Sequence, residues 1–164
     1  MNPQPEWPLP HDAIPSGEGR GKRLWPARPL RIAVADDEPD MREYLERILP
    51  RLGHQVVASA RTGVELLSAY HREHPDLIIT DIRMPELSGD AAVQQIRQTQ
   101  MVPVILISAY ARGASENETT LELCSRLRKP VGRSELEAAI KSLADEVADG
   151  LMPTALDGEE ADHD

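Results

Sequence analysis

The sequence predicts an α/β fold, a doubly wound parallel sheet with helices on both faces. Three observations carry this reading. Short apolar runs alternate with amphipathic segments of helical period from Leu30 to Val147. The runs Leu77-Ile78-Ile79 and Val102-Pro103-Val104-Ile105-Leu106-Ile107 are continuously apolar, as in strands covered on both faces. Four strands run out into polar groups: Asp36-Asp37, Asp81, Ser108 and Lys129. In a parallel sheet those ends share one edge, where ligands bind.

The elements follow in order. Arg31-Ile32-Ala33-Val34-Ala35 is the first strand, ending on Asp36-Asp37-Glu38-Pro39. Asp37 and Glu38 beside Pro39 suit a helix start, with acids at the positive end of the dipole. Met41, Tyr44, Leu45, Ile48, Leu49 and Leu52 then lie on one helical face, and Gly53 stops the helix. Gln55 to Ala60 is the second strand. Thr62 to Glu73 is the second helix, with Val64, Leu67 and Tyr70 on its inner stripe. The third strand is Leu77-Ile78-Ile79, between Pro75 and Pro85, with Asp81 where it emerges. Read alone, Asp81 serves equally as a turn-opening or capping acid and as a site residue. Gly89 to Gln98 is the third helix, with Ala92, Val93 and Ile96 inward. Val102 to Ser108 is the fourth strand. A fourth helix is expected near Ser115 to Leu123. Ser125 to Arg128 is a fifth strand of poor propensity, leading into Lys129-Pro130. Ser134 to Val147 is the last helix, with a Ser134/Glu137 capping box and a stripe of Leu136, Ala139, Ile140, Leu143 and Val147.

Composition bounds the function. With 164 residues, one domain of ordinary size leaves room for tails. Residues 1–29 hold seven of the fourteen prolines, including Pro3, Pro5, Pro26 and Pro29, so a Pro/Gly-rich disordered arm is expected there. The domain is expected over residues 30–149 and an acidic flexible tail over 150–164. Gly17-Glu18-Gly19-Arg20-Gly21-Lys22 lacks the spacing and the following Ser or Thr of a phosphate loop, and reads as linker. Aromatic content of 3% without any Phe requires an aliphatic core. A net charge of −10 argues against nucleic-acid binding driven by phosphate neutralisation. A single cysteine, Cys124, excludes an intrachain disulfide and a Cys-based zinc site. No apolar run is long enough to span a bilayer, and the N-terminus lacks a secretory pattern, so no membrane association and a cytoplasmic location are expected. The five histidines show no ligand spacing.

The chemistry converges on the strand ends. Three carboxylates at one edge repel unless a cation joins them, and a hard divalent ion such as Mg²⁺ suits oxygen ligands. Ser108 and Lys129 beside such an ion make a phosphate site, and a carboxylate can itself be a nucleophile that forms an aspartyl-phosphate.

Asp36-Asp37, Asp81 with Met84-Pro85 and Gly89, Ser108-Ala109, and Lys129-Pro130, in this order, resemble the receiver domain of two-component response regulators. The resemblance covers about Leu30 to Val147. It implies a flavodoxin-like sheet in strand order 2-1-3-4-5. It implies that Asp81 accepts a phosphoryl group from a phosphohistidine on a sensor histidine kinase or histidine phosphotransfer protein. It implies Mg²⁺ held by Asp36, Asp37, Asp81 and the backbone carbonyl of Arg83. Lys129 would pair with the phosphoryl oxygens, Ser108 would hydrogen-bond them, and the Lys129–Pro130 bond would be cis. Such a protein is a phosphoacceptor that promotes its own phosphorylation and dephosphorylation, not an enzyme in the ordinary sense. It is expected to signal as a stand-alone receiver, through an unidentified downstream protein or by onward transfer. Arg126 stands where the family usually has an aromatic, so a different switch is expected. Arg83 and Tyr110 would flank the phosphoryl group and slow its loss. The rival readings are an aspartyl-phosphate phosphohydrolase similar to the haloacid dehalogenase group, and a receiver-like scaffold. The first usually carries its nucleophile in an Asp-x-Asp pattern after the first strand, which Asp36-Asp37-Glu38 lacks.

Overall fold

The computed structural model describes residues 29–109 and 122–148. The arm, the acidic tail, Trp7, Trp25, Tyr110 and most of the expected fourth helix lie outside these residues. Five strands form one sheet: β1 (Arg31–Ala35), β2 (Gln55–Ala60), β3 (Leu77–Asp81), β4 (Val104–Ser108) and β5 (Cys124–Arg128). Their order is β2-β1-β3-β4-β5, and every pairing is parallel. The described helices are α1 (Pro39–Arg51), α2 (Gly63–Glu73), α3 (Gly89–Arg97) and α4 (Arg133–Ala148). None of them is long and apolar enough to cross a membrane.

The alternation of side chains along each strand divides the core in two. Ile32, Val34, Leu77, Ile79, Ile105 and Ile107 face α1 and α4, where they meet Leu45, Leu49, Leu136 and Leu143. Ala33, Ala35, Ile78, Val104 and Leu106 face α2 and α3, where they meet Leu66, Ala92, Val93 and Ile96. Every one of these strand residues is buried, and each Ile, Val or Leu contributes roughly 1.5–3 kcal/mol. The core is aliphatic, as the missing Phe requires.

Three expectations need correction. Val64 is exposed, and the inner stripe of α2 is Gly63, Leu66, Ala69 and Tyr70 with Leu67 at its margin. Gly63 sets this phase. Its N–H donates to the Leu87 carbonyl at 3.0 Å, and a Cβ there would overlap that carbonyl, so Gly63 must face the β3–α3 loop. The Ser134/Glu137 box does not cap α4. The helix begins one residue earlier, and Glu135 Oε1 accepts from the Gly132 N–H at 3.1 Å while Leu136 N–H donates to the Gly132 carbonyl. Glu122 and Leu123 form a turn, with Leu123 at φ +52°, so no helix reaches Leu123.

Gly89 closes the loop that follows β3. Its N–H donates to the Ile82 carbonyl at 2.8 Å, and α3 starts so near the strand end that a Cβ would overlap the Asp81 carbonyl and lie 2.6 Å from Thr80 Oγ1. Gly89→Ala is expected to lose roughly 1–3 kcal/mol through overpacking, read as a lower urea midpoint with an unchanged slope. A wild-type midpoint would show that the contact yields.

His54 supplies a pH dependence. Its Nδ1 accepts the Leu30 N–H at 3.2 Å, and burial lowers its pKa below the ordinary 6.5. The folded state therefore binds fewer protons than the unfolded chain. The contribution is complete above about pH 6.5 and is lost as pH falls towards the folded pKa. His54→Asn, which keeps an acceptor but cannot titrate, should flatten that part of the stability profile. Equal profiles for the two proteins between pH 7.5 and about 5.5 would count against this role.

Candidate functional site

Register places the site. Ala35 pairs with Thr80, so Asp36 and Asp81 are level at the carboxyl edge of β1 and β3. Asp81 pairs with Ile107, and Ser108 with Arg128, so Ser108 and Lys129 emerge beside them. Parity does the rest. Asp36, Asp81 and Lys129 each follow by two residues a side chain of the α1/α4 core: Val34, Ile79 and Leu127. All three point to one face. Backbone bonds fix the loops: Asp36 N–H to the Ala60 carbonyl at 3.0 Å, Ile82 N–H to the Ile107 carbonyl at 3.0 Å, and Lys129 N–H to the Ser108 carbonyl at 2.9 Å.

The Lys129 ammonium joins three carboxylates. Its Nζ lies 2.6 Å from Glu38 Oε1, 3.0 Å from Asp36 Oδ2 and 3.2 Å from Asp81 Oδ2. Asp36 and Asp81 are buried, whereas the Glu38 side chain is 63% exposed. Asp36 Oδ1 accepts from the Glu38 N–H at 2.9 Å, and Asp81 Oδ1 from the Arg83 N–H at 3.3 Å. The Lys129–Pro130 peptide is cis, as the resemblance implied.

A cleft of about 310 Å³ opens over these groups, lined by Asp37, Glu38, Asp81, Arg83, Ser108, Ala109 and Lys129. All the expected side chains thus meet at one place, with Asp36 beneath the cleft. Sequence reading did not single out Glu38 there. Its only signal was its place next to two acids at a strand end.

Burial raises the Asp81 pKa, the Asp36 charge raises it further, and Lys129 pulls it back without cancelling them. Burial works against the Lys129 ammonium, but its contacts with Glu38 and Asp36 and the charges of Asp36 and Asp81 outweigh that and hold its pKa above the ordinary 10.5. The edge therefore carries more negative charge than one lysine neutralises.

The donor set fits a hard divalent cation. Ligand atoms of Asp36, Glu38 and Asp81 lie within 4.8 Å of one another, and all are carboxylate oxygens. Asp36 Oδ2 is buried and, despite its ion pair, accepts no hydrogen bond. Such an oxygen is costly unless a cation meets it. Asp37 lies outside this close cluster but lines the same cleft.

A doubly wound sheet has its ligand crevice at the carboxyl ends of its strands, and here the acids and the lysine meet at that edge. The chain belongs to the response regulator receiver domain family, whose sequence signature matches residues 32–141. Members are signalling phosphoacceptors, generally not enzymes, with an acidic pocket that binds Mg²⁺. Over 115 residues the chain is 40% identical to a protein named Probable transcriptional regulator ycf27 of Porphyridium aerugineum, covering 69% of this chain and 47% of that protein. The chain spans about half the length of the curated relatives it matches first. Among solved structures, it resembles the receiver domain of the PhyR response regulator of Erythrobacter litoralis, with a TM-score of 0.64 and 28% identity over 71% of this chain and 90% of that one. It also resembles the anti-anti-sigma factor PhyR of Bartonella quintana, with a TM-score of 0.65 and 29% identity over 78% of this chain and 52% of that one.

Lys129→Met should leave Asp36 and Asp81 facing each other without a counter-charge. The expected loss is roughly 1–3 kcal/mol at neutral pH by urea denaturation, largely recovered in millimolar Mg²⁺. Unchanged stability without metal would show that the ammonium is not what holds the acids together.

Proposed function

We propose that this chain takes a phosphoryl group onto Asp81 from the phosphohistidine of a sensor histidine kinase or histidine phosphotransfer protein. The observation that supports this best is the convergence of Asp36, Asp81 and Lys129, with Ser108 in the same cleft. Asp36, Asp37, Asp81 and the Arg83 carbonyl are the residues we assign to Mg²⁺. The bound ion supplies charge neutralisation between the carboxylates and the phosphoryl oxygens.

The residues divide the work. An Asp81 carboxylate oxygen attacks phosphorus as the phosphorus–nitrogen bond of the donor breaks, and the released imidazole nitrogen takes a proton. Lys129 follows the charge, since its ammonium already lies against Asp81 and can hold an oxygen of the new acyl phosphate. Ser108 offers a hydroxyl donor from β4. Hydrolysis of the acyl phosphate by water returns the Asp81 carboxylate and inorganic phosphate. The exposed Arg83 stands at the cleft and narrows the approach of that water.

The net charge of −10 disfavours direct contact of this stretch with a phosphate backbone, so we assign its output to protein–protein contact or onward phosphotransfer. The matched relatives named transcriptional regulators are covered over only about half their length.

Incubation with acetyl phosphate and Mg²⁺ is expected to add one phosphoryl group, seen by intact mass, that survives acid and is lost in base. Asp81→Asn and chelation of Mg²⁺ should each abolish it. An adduct that persists in Asp81→Asn would sink the assignment, and continuous release of phosphate would favour the hydrolase reading.

A further inference from the structure

We propose that Glu38 is a displaceable counter-ion of Lys129, which occupies the ammonium position that a phosphoryl oxygen must take and so sets the rate of phosphoryl uptake. The proposal rests on the phosphoacceptor reading above.

Four observations carry it. Glu38 makes the shortest contact in the site, 2.6 Å from Lys129 Nζ. It occupies the N-cap position of α1, yet its side chain makes no cap hydrogen bond. It reaches instead to Lys129, just past the end of β5 and 91 positions away. Finally, it differs in burial from the other two acids. The Glu38 side chain is 63% exposed, against 1% for Asp36 and 9% for Asp81.

The donor arithmetic then decides which acid yields. A lysine ammonium has three N–H donors. Here it donates to Glu38 and Asp81 and lies 3.0 Å from Asp36 Oδ2, so further oxygens would crowd a shell that three carboxylates already occupy. A phosphoryl group on Asp81 brings further oxygens to the same nitrogen. Asp36 cannot withdraw, because its carboxylate is enclosed and would lose its counter-charge inside the protein. Asp81 carries the group itself. Glu38 can swing into water with little desolvation change, and its pair with Lys129 is worth little for the same reason. While it stays, its charge also repels an incoming phosphodonor, which is an anion at neutral pH.

The same reasoning separates Glu38 from the metal set. An ion that neutralises Asp36 and Asp81 cannot sit where Lys129 Nζ sits, so ammonium and metal divide the acids between them. Glu38, held closest by the lysine, goes with the lysine.

The test compares the full chain with Glu38→Ala, Glu38→Gln and Asp40→Asn, by initial rate of phosphorylation with acetyl phosphate at saturating Mg²⁺. In that reaction Asp81 oxygen attacks phosphorus and acetate leaves. Asp40, in the first turn of α1, is an exposed acid whose loss changes the net charge equally. Glu38→Ala is expected to react roughly threefold to tenfold faster than wild type, the scale of one partly solvated ion pair, with Glu38→Gln between them. Asp40→Asn should stay within about twofold of wild type, since screened charge alone does little. Mg²⁺ affinity, measured by calorimetry without phosphodonor, should stay within about threefold in Glu38→Ala, because a metal ligand would cost about tenfold or more. A wild type that phosphorylates beside a Glu38→Ala of equal or lower rate overturns the counter-ion role alone. So does an Asp40→Asn that accelerates equally, or a tenfold loss of Mg²⁺ affinity. A wild type that takes no phosphoryl group overturns both readings.

Discussion

One ammonium answers three carboxylates at the carboxyl edge of the sheet, and the local architecture follows from that imbalance. Asp36 and Asp81 are brought together by the β1–β3 register, not by attraction. Left alone, two buried carboxylates at that spacing would repel strongly in a medium of low polarity. Burial raises the pKa of Asp81, the Asp36 charge raises it further, and Lys129 offsets the two only in part. The site is thus held in a state that gains from added positive charge. A divalent cation would relax a strain of charge that the sheet itself imposes.

That imposition depends on parity. Val34, Ile79 and Leu127 face α1 and α4, so the residues two positions on, Asp36, Asp81 and Lys129, face the same way. A one-residue slip in any of the three strands would turn its charged group to the other face and expose an apolar set. Core and site are therefore specified by the same register. The glycines serve the same end. Gly89 lets α3 begin against the carbonyl of Asp81, and Gly63 lets α2 begin against Leu87 in the loop between them. The segment that carries the acid is clamped from both sides by backbone contacts that tolerate no side chain.

Most of this was legible in the sequence because it rests on period and order. Continuous apolar runs marked β3 and β4, alternation of elements marked the parallel sheet, and polar strand ends marked the edge where Asp36, Asp81, Ser108 and Lys129 meet. What was misread depends on contacts distant in sequence. Val64 fits a helical stripe, but the phase of α2 is set by Gly63 against Leu87, twenty-four positions away. Ser134 and Glu137 have the spacing of a capping box, yet α4 starts earlier because the Gly132 backbone meets Glu135. β5 looked poor because Arg126 and Arg128 dominate its propensity. It forms because it pairs along its whole length with the buried β4. Glu38 looked like a helix-start acid, and only the fold shows its carboxylate at Lys129.

The readout beyond the site is constrained by the same parity. Ser108 shares its face with Leu106, the register partner of Arg126, so Ser108 and Arg126 both lie on the α2/α3 side. Where an aromatic side chain occupies the Arg126 position, inward rotation buries apolar surface and is favourable. For Arg126 the sign reverses. It is exposed, and turning its guanidinium inward would strip water from a permanent charge at a cost of several kcal/mol unless a carboxylate moved with it. An inward swing of this side chain alone is therefore unfavourable. The guanidinium stays at the surface and presents positive charge on the edge strand of an otherwise acidic protein. A change at Ser108 that reached β5 would be felt there as a shift in the position of that charge.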